Sequence, residues 1–162
     1  MKVYYDKGGK QGDKKNFKVK NSETLKIGDY IFYSQDFIGW ASGETYIWNF
    51  PLDELEQAQK MFERNYSLGE FNSDLPKLKN GGDMFRYCSA LRTFNSNLSS
   101  LTDGYMMFFD CDKLSSFGSK LTSLKSGYGM FDECSLNEDS LIYIADNIND
   151  ISSLDKEINE DW

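Results

Sequence analysis

The chain contains no histidine among its 162 residues, and only two prolines and three cysteines. Because histidine is the commonest general base and metal ligand, its absence excludes Ser-His-Asp, Cys-His and histidine-bound metal mechanisms. An odd number of cysteines cannot pair completely, which disfavours a disulfide framework. No apolar run approaches the roughly 18 residues of a membrane-spanning helix, and the basic start lacks the apolar segment of a signal peptide. We therefore expect no membrane insertion, no cofactor and no metal.

The net charge of −8 is unevenly distributed along the chain. Residues 1–20 carry seven lysines and two aspartates, a net charge of +5, whereas residues 130–162 carry ten acids and one lysine, a net charge of −9. The overall acidity disfavours nucleic acid as a partner. The basic segment could contact nucleic acid or an acidic partner, but glycines interrupt it, and we interpret it as a solvated arm or strand.

The strongest pattern in the sequence is a 23-residue repeat. The dipeptide Met-Phe recurs at this interval, and leucine, phenylalanine, glycine and cysteine recur in register with it. The columns are Met61, Met84, Met107 and Met130; Leu68, Leu91 and Leu114; Phe71, Phe94 and Phe117; Leu75, Leu98 and Leu121; Leu78, Leu101 and Leu124; Gly81, Gly104 and Gly127; and Asn65, Cys88, Cys111 and Cys134. One unit has too few apolar residues to bury a core alone, so we expect successive units to stack.

Each column has an expected place in such a stack. Leu-x-x-Phe puts two apolar residues on a short extended segment, and adjacent segments would pair as parallel strands. The Met-Phe pair would fill the interior from the opposite side, and the glycine would allow a turn. A corner asparagine or cysteine would donate to backbone carbonyls along the stack, the asparagine more strongly than the thiol.

The segment that precedes the clear repeats predicts an amino-terminal cap. In the shifted register Trp48 aligns with Phe71, which indicates a degenerate half-unit. Residues 30–33 favour a strand, and residues 42–44 favour a turn between strands at 37–40 and 45–50. We expect a small antiparallel sheet here, followed by a helical turn or two over residues 52–62.

The segment that follows the repeats predicts a helical cap. Leu141, Ile144, Ala145 and Ile148 fall at helical spacing after Asn137, a suitable N-cap, with acids in the first turn. We expect an amphipathic helix over residues 138–149 that seals the open end of the core. A second, acidic helical stretch is expected over residues 152–160.

One complete unit reads Cys88-x-x-Leu91-x-x-Phe94-x-x-x-Leu98-x-x-Leu101 and continues to Met107-Phe108. This pattern resembles leucine-rich repeats. It is most similar to the 23-residue bacterial class of Treponema pallidum and BspA-like surface proteins. More loosely, it resembles coils in proteins of phages and prophages of gut bacteria. The resemblance covers about residues 48–136 and implies a non-catalytic binding module, often on a cell surface. The chain departs from the class in having phenylalanine at the second strand position and few coils.

The candidate binding surface consists of polar residues on the outward face of the strands, together with one tryptophan near the amino-terminal cap. These residues are Glu70, Asn72, Arg92, Thr93, Asn95, Ser115, Ser116 and Trp40. Small polar side chains suit hydrogen bonding to a protein or glycan, and they equally suit an inert soluble face. Tyr105 and Tyr128 are either an aromatic platform or part of the core.

The sequence gives less support to a metal or redox site, an acid/base pair or a calcium site. Cysteines one unit apart could suggest a metal or redox ladder, but without histidine or a CxxC motif we interpret them as buried apolar residues. The carboxylates show no pair that stands out as an acid and base. The acidic carboxy-terminal stretch fails the EF-hand pattern.

The sequence thus predicts an α/β fold, a short leucine-rich-repeat solenoid of about four coils with parallel strands. The expected parts are a basic arm or strand at 1–20, a β-rich cap and half-repeat at 21–60, repeats at 61–136 and an acidic helical cap at 137–162. We expect a non-enzymatic module that binds a protein partner, as part of a phage virion or bacterial surface protein. The alternative is a carbohydrate-binding or adhesion module that uses exposed aromatic residues.

Overall fold

The computed structural model of the chain describes residues 4–6, 18–34 and 45–154. Its strands are β1 (Tyr4–Asp6), β2 (Lys18–Lys20), β3 (Tyr46–Trp48), β4 (Leu68–Phe71), β5 (Thr93–Phe94) and β6 (Ser116–Phe117), and its helix is α1 (Glu138–Asn147). Strands β1 and β2 pair antiparallel, whereas β3 pairs with β4, and β5 with β6, in parallel. Short 3-10 turns lie at Ser22–Thr24 and Ile151–Ser153. The predicted α/β class with short parallel strands is confirmed.

The 23-residue interval of the sequence reappears as a ladder of backbone hydrogen bonds. Isolated parallel bridges join Gln57 to Asn80, Asn80 to Asp103, and Asp103 to Ser126. The turn that carries each Met-Phe pair donates to the next such turn: Phe85 N–H donates to the Met107 carbonyl at 2.9 Å. The same parallel bonds can recur from unit to unit only if the number of residues between bonded positions stays constant. The 23-residue unit provides this constant spacing.

The interior of the ladder is two interleaved columns of phenylalanine. Ring centroids in the Met-Phe column lie 5.6 Å apart for Phe62–Phe85, 5.4 Å for Phe85–Phe108 and 5.8 Å for Phe108–Phe131, with interplanar angles of 6° or less. The strand column meets them edge to face, as in the 4.7 Å contact of Phe94 with Phe108. Offset-stacked and edge-to-face rings are both favourable arrangements, and the strand spacing sets their separation.

Each Met-Phe turn begins and ends with a residue in the left-handed conformation. In the described units these are Tyr30 and Ser34, Lys60 and Arg64, Asp83 and Tyr87, Met106 and Asp110, and Gly129 and Glu133. The conformation costs a non-glycine residue roughly 1 kcal/mol or more. Hydrogen bonds between successive turns therefore hold strained residues in place.

The corner position behaves as the sequence predicts. The thiols of Cys88, Cys111 and Cys134 donate to the carbonyls of Phe62, Phe85 and Phe108 at 3.3, 3.1 and 3.2 Å. In the earlier unit the Asn65 amide donates to the Phe32 and Phe62 carbonyls at 2.9 Å each. The Phe62, Phe85 and Phe108 carbonyls also accept a backbone N–H from their own turn, so the corner side chain supplies each of these carbonyls with a further donor.

The predicted strand at Tyr30–Tyr33 is wrong. This segment forms a Met-Phe-like turn, in which Phe32 is fully buried and stacks on Phe62 with 5.4 Å between ring centroids. The number of residues between this turn and the next is larger than the 23 of the repeat unit. Ile27 bridges to Gln57, and the Gln59 N–H donates to the Asp29 carboxylate. Aromatic residues favour strands in isolation, but stacking on the following turn determines the conformation here.

Of the antiparallel sheet predicted within residues 21–50, the structure describes one strand, β3. Strand β3 pairs in parallel with β4, and Trp48 lies opposite Phe71 as the repeat register predicts. The predicted strand at 37–40 and turn at 42–44 lie outside the described residues. Residues 52–62 form turns and a bridge at Gln57 instead of the predicted helical turns, because the segment follows the ladder of the later units.

The carboxy-terminal helix is confirmed, with the bounds Glu138–Asn147. The Asn137 side chain accepts the Ser140 N–H at 2.9 Å, so Asn137 is the predicted N-cap. Ile144 is buried, but Leu141, expected on the same apolar face, is 55% exposed. Of the second predicted stretch, Ile151–Ser153 is a short 3-10 turn, and the residues after 154 lie outside the described part of the chain.

Candidate functional site

A groove of about 560 Å³ lies between β4 and β5 on the polar face of the strands. Most of the side chains around it are polar and exposed, whereas the ring of Phe71 is buried in the core. The residues that line it are Thr45, Gly69, Glu70, Phe71, Asn72, Asp74, Ala90, Arg92, Thr93, Asn95 and Ser96. The groove opens on the molecular surface, where a macromolecule can reach it.

Five of the eight sequence-predicted site residues line this one groove. Glu70 and Asn72 stand on the β4 side, and Arg92, Thr93 and Asn95 stand on the β5 side. Two of the remaining three do not line it: Ser115 precedes β6, and Ser116 lies within β6. Trp40 lies outside the described residues.

Sequence reasoning missed Gly69, although the repeat contained the signal. At 23-residue spacing Gly69 occupies the column of Arg92 and Ser115. A Cβ added at Gly69 would lie only 2.7 Å from the Cβ of Thr45, so the missing side chain allows Thr45 to pack directly against this backbone. A glycine in a column of larger side chains marks a place where another group can approach the backbone closely.

Asp74 was missed for a similar reason. It occupies the column of Asn97 and Lys120, beyond the strands, where a solvated loop is the ordinary interpretation. In the structure its carboxylate accepts the Asn97 N–H at 2.9 Å, and the Leu75 N–H donates to the Asn97 carbonyl at 3.1 Å. These two bonds close one end of the groove.

The groove presents charges of both signs that are not paired with each other. Glu70, Asp74 and Arg92 all line it, and within the described ranges Arg92 forms no ion pair. The Arg92 carbonyl accepts the N–H groups of Ser115 and Ser116 at 3.0 and 3.3 Å, so its backbone is fixed while its guanidinium remains exposed. An exposed, unpaired guanidinium on a fixed backbone is suited to bind a carboxylate.

The cysteine column lies in the core and does not contribute to the groove. Burial raises the pKa of the Cys111 thiol and raises the pKa of the Cys134 thiol to about 12. Cysteine reacts as the thiolate, so protonated thiols such as these are poor nucleophiles. Among the described residues, no group of three or more cysteine, aspartate or glutamate side chains is arranged to hold a metal.

Tyr105 and Tyr128 form a stacked pair with ring centroids 5.7 Å apart and an interplanar angle of 15°. Tyr105 is 42% exposed. Of the two interpretations that the sequence allows, the structure therefore favours an aromatic platform over core for Tyr105. Neither ring lines the groove.

Comparison of the chain with family models, with curated proteins and with solved structures found no match. Over the ranges that the structure describes, no helix has the length and apolar character to cross a membrane.

Proposed function

We propose that this chain is a non-enzymatic module that binds a protein partner through the groove between β4 and β5. The main support for the proposal is that five outward-facing polar residues line that one groove. The groove combines an unpaired guanidinium, two carboxylates and two side-chain amides. Polar groups of this kind, held on a fixed backbone, give specific hydrogen bonding at little cost in conformational entropy.

The scaffold that we propose is a short solenoid of the leucine-rich-repeat kind. Its support is the recurrence of one bonding pattern: the N–H groups of Phe62, Phe85 and Phe108 donate to the Met84, Met107 and Met130 carbonyls at 2.9 to 3.0 Å. The turn at Phe32, which stacks on Phe62 with 5.4 Å between ring centroids, supports an earlier unit in this stack. In a stack, each unit contacts mainly its neighbours, which gives a rigid surface for display.

The setting that we propose is a phage virion or a bacterial surface. The support is the resemblance of the repeat to the BspA-like class, together with the absence of histidine, which leaves fewer routes to catalysis. Carbohydrate binding is a second candidate, which the stacked pair of exposed Tyr105 and half-buried Tyr128 favours. The groove itself does not favour it, since the one aromatic ring in its lining, Phe71, is 4% exposed.

A displayed random peptide library, panned on the immobilised full chain, tests the proposal. We expect enriched peptides whose binding falls at least tenfold in the double variant Arg92→Ala, Asn95→Ala, because both side chains face the groove. The matched control is Lys125→Ala, Asn149→Ala, which removes the same types of exposed side chain away from the groove. Enrichment that is insensitive to the groove variant, or binding only on a glycan array, would contradict the proposal.

A further inference from the structure

A second pocket, of about 440 Å³, lies beyond the last Met-Phe turn, at the carboxy-terminal end of the ladder. We call it the end pocket. It is lined mainly by apolar side chains of that turn, of α1 and of the segment after the helix. They include Met130, Phe131, Leu141, Ile144, Ile151 and Leu154.

The end pocket leaves the last ring of the Met-Phe column without a following ring. Phe131 stacks on Phe108 with 5.8 Å between centroids and an interplanar angle of 1°. Phe108 is fully buried, whereas Phe131 is only partly buried. Leu141 and Ile151, which also line the pocket, are 55% and 61% exposed. The apolar surface at this end of the ladder can therefore gain free energy when another apolar group covers it.

The turn at this end also presents backbone donors without an acceptor. One unit earlier, the Phe108 and Asp110 N–H groups donate to carbonyls of the following turn at 3.0 and 2.9 Å. Their equivalents are the Phe131 and Glu133 N–H groups, which lie in a turn outside the strands and α1. No residue that the structure describes accepts from these two groups. Native structures nearly always pair backbone groups, so the two donors mark a place for a further chain segment.

The repeat indicates how such a segment would lie. Inside the ladder, the Met130 and Asp132 carbonyls accept from the preceding turn, and Phe131, between them, stacks on Phe108. A segment bonded in the same way to the Phe131 and Glu133 N–H groups would use two carbonyls that are two residues apart. The side chain between those carbonyls would enter the end pocket and pack on the Phe131 ring.

The carboxy-terminal end of the ladder carries charge of one sign. Residues 130–154 contain no lysine or arginine and six acids, which are Asp132, Glu133, Glu138, Asp139, Asp146 and Asp150. In the turn before it, the pKa of Asp110 is raised by burial and then by the carboxylates of Asp112 and Glu133. A basic segment would relieve this repulsion. Residues 155–162 carry four acids and one lysine, so the chain's own continuation lacks the complementary charge.

We propose that the end pocket is a second docking site, for a basic segment of a protein partner that inserts one large apolar side chain. The carbonyls on either side of that side chain accept the Phe131 and Glu133 N–H groups. The side chain itself covers Leu141 and Ile151, and neighbouring lysine or arginine residues pair with the surrounding carboxylates. The end pocket shares no lining residue with the groove between β4 and β5, so this site is independent of the proposed function.

Amide hydrogen exchange of the free, full chain tests whether the two donors are unpaired in solution. We expect the Phe131 and Glu133 amides to exchange about a hundredfold faster than those of Phe108 and Asp110, their bonded equivalents. Two-dimensional NMR of the ¹⁵N-labelled protein resolves the four amides. Equal protection at every protein concentration would mean that residues 155–162 of the same chain occupy the pocket, and protection that grows with concentration would mean a second copy. Either result would overturn the inference.

A basic peptide with one phenylalanine tests the binding itself. The probe is Lys-Lys-Ala-Phe-Ala-Lys-Lys, acetylated and amidated at its ends and titrated into the ¹⁵N-labelled full chain. We expect saturable shifts of the Phe131 and Glu133 amides. Two control peptides, with alanine in place of the phenylalanine or glutamate in place of the lysines, should bind about tenfold more weakly. Equal binding of all three peptides, or no shift of these amides at millimolar peptide, would refute the proposed site.

The variant Leu141→Gln tests whether the peptide occupies the end pocket. Leu141 lines the pocket, whereas its neighbour Ile142 is equally exposed on α1 and does not, so Ile142→Gln is the matched control. We expect Leu141→Gln to weaken binding of the basic peptide about fivefold, because an apolar contact is lost without a change in charge. Equal binding by the two variants would contradict the proposal. The groove variant Arg92→Ala, Asn95→Ala should bind this peptide normally, so failure at the end pocket leaves the proposed function standing.

Discussion

At the scale of single residues, the corner column shows how one position serves both packing and hydrogen bonding. Cys88 and Cys111 are fully buried, and all three thiols donate to a carbonyl of the preceding unit. The Asn65 amide donates to the Phe32 carbonyl of the preceding unit and also to the Phe62 carbonyl of its own turn. Burial raises the pKa of the Cys111 and Cys134 thiols and keeps them protonated, so these two residues contribute to stability and not to reactivity.

The raised thiol pKa of Cys134 predicts a dependence of stability on pH. The folded-state pKa is about 12, against an ordinary value of 9.0. The contribution is therefore fully present below about pH 9 and is lost as the pH rises toward 12, by up to ~1.4 kcal/mol per pH unit. We expect the free energy of unfolding to fall more steeply over this range in the native chain than in Cys134→Ser, measured by urea denaturation. Parallel curves for the two proteins would show that the thiol does not titrate as described.

At the scale of elements, α1 takes the place of a further strand beside β6. The Phe117 N–H donates to the Ser140 hydroxyl at 2.9 Å, and the Leu121 N–H donates to the Asn147 carbonyl at 3.0 Å. The helix thus satisfies backbone groups that a further 23-residue unit would otherwise bond. Its capping residue, Asn137, lies directly before this junction.

We expect Asn137→Ala to lower the free energy of unfolding by about 1 kcal/mol, because the Ser140 N–H loses its capping acceptor. Asn149→Ala is the matched control, since Asn149 is exposed and lies beyond the helix. Chemical denaturation monitored by circular dichroism measures both variants. An Asn137 variant as stable as the Asn149 variant would mean that the cap contributes nothing to the stability of the fold.

At the scale of the whole molecule, the repeated bonds make the units interchangeable. Phe62 stacks on Phe85 as Phe85 stacks on Phe108, with nearly the same distance and angle. Stability in such an arrangement is a sum of unit and neighbour contributions. The connection between Phe32 and Phe62 is longer than that between Phe62 and Phe85, yet both pairs stack. A connection can therefore change length when the bonded turns remain in register.

We expect deletion of residues 82–104, one complete unit, to leave a chain that still unfolds cooperatively, with a lower denaturation midpoint. The deletion joins Gly81 to Tyr105 and brings Phe108 to the place of Phe85. Deletion of residues 82–93 removes half a unit, shifts the register and should abolish the cooperative transition. Thermal and urea unfolding, followed by circular dichroism, compare the two. Similar behaviour of both deletions would contradict the interchangeability of units.

The sequence by itself determined the period, the buried columns, the corner donors, the N-cap at Asn137 and five residues of the groove. All of these depend on which residue types recur at a fixed interval or stand at a recognisable boundary, and both are visible without coordinates. It did not determine the conformation of Tyr30–Tyr33, because stacking of Phe32 on Phe62 in the following turn overrides the strand preference of aromatic residues.

Only the tertiary structure determined which of the outward-facing polar residues share one groove. Glu70, Asn72, Arg92, Thr93 and Asn95 line it, whereas Ser115 and Ser116 do not. Each strand taken alone resembles its neighbours in sequence, and the space above a pair of strands depends on side chains that many contacts on both sides position together. The repeat that identified the scaffold therefore could not show which pair of units forms the candidate site.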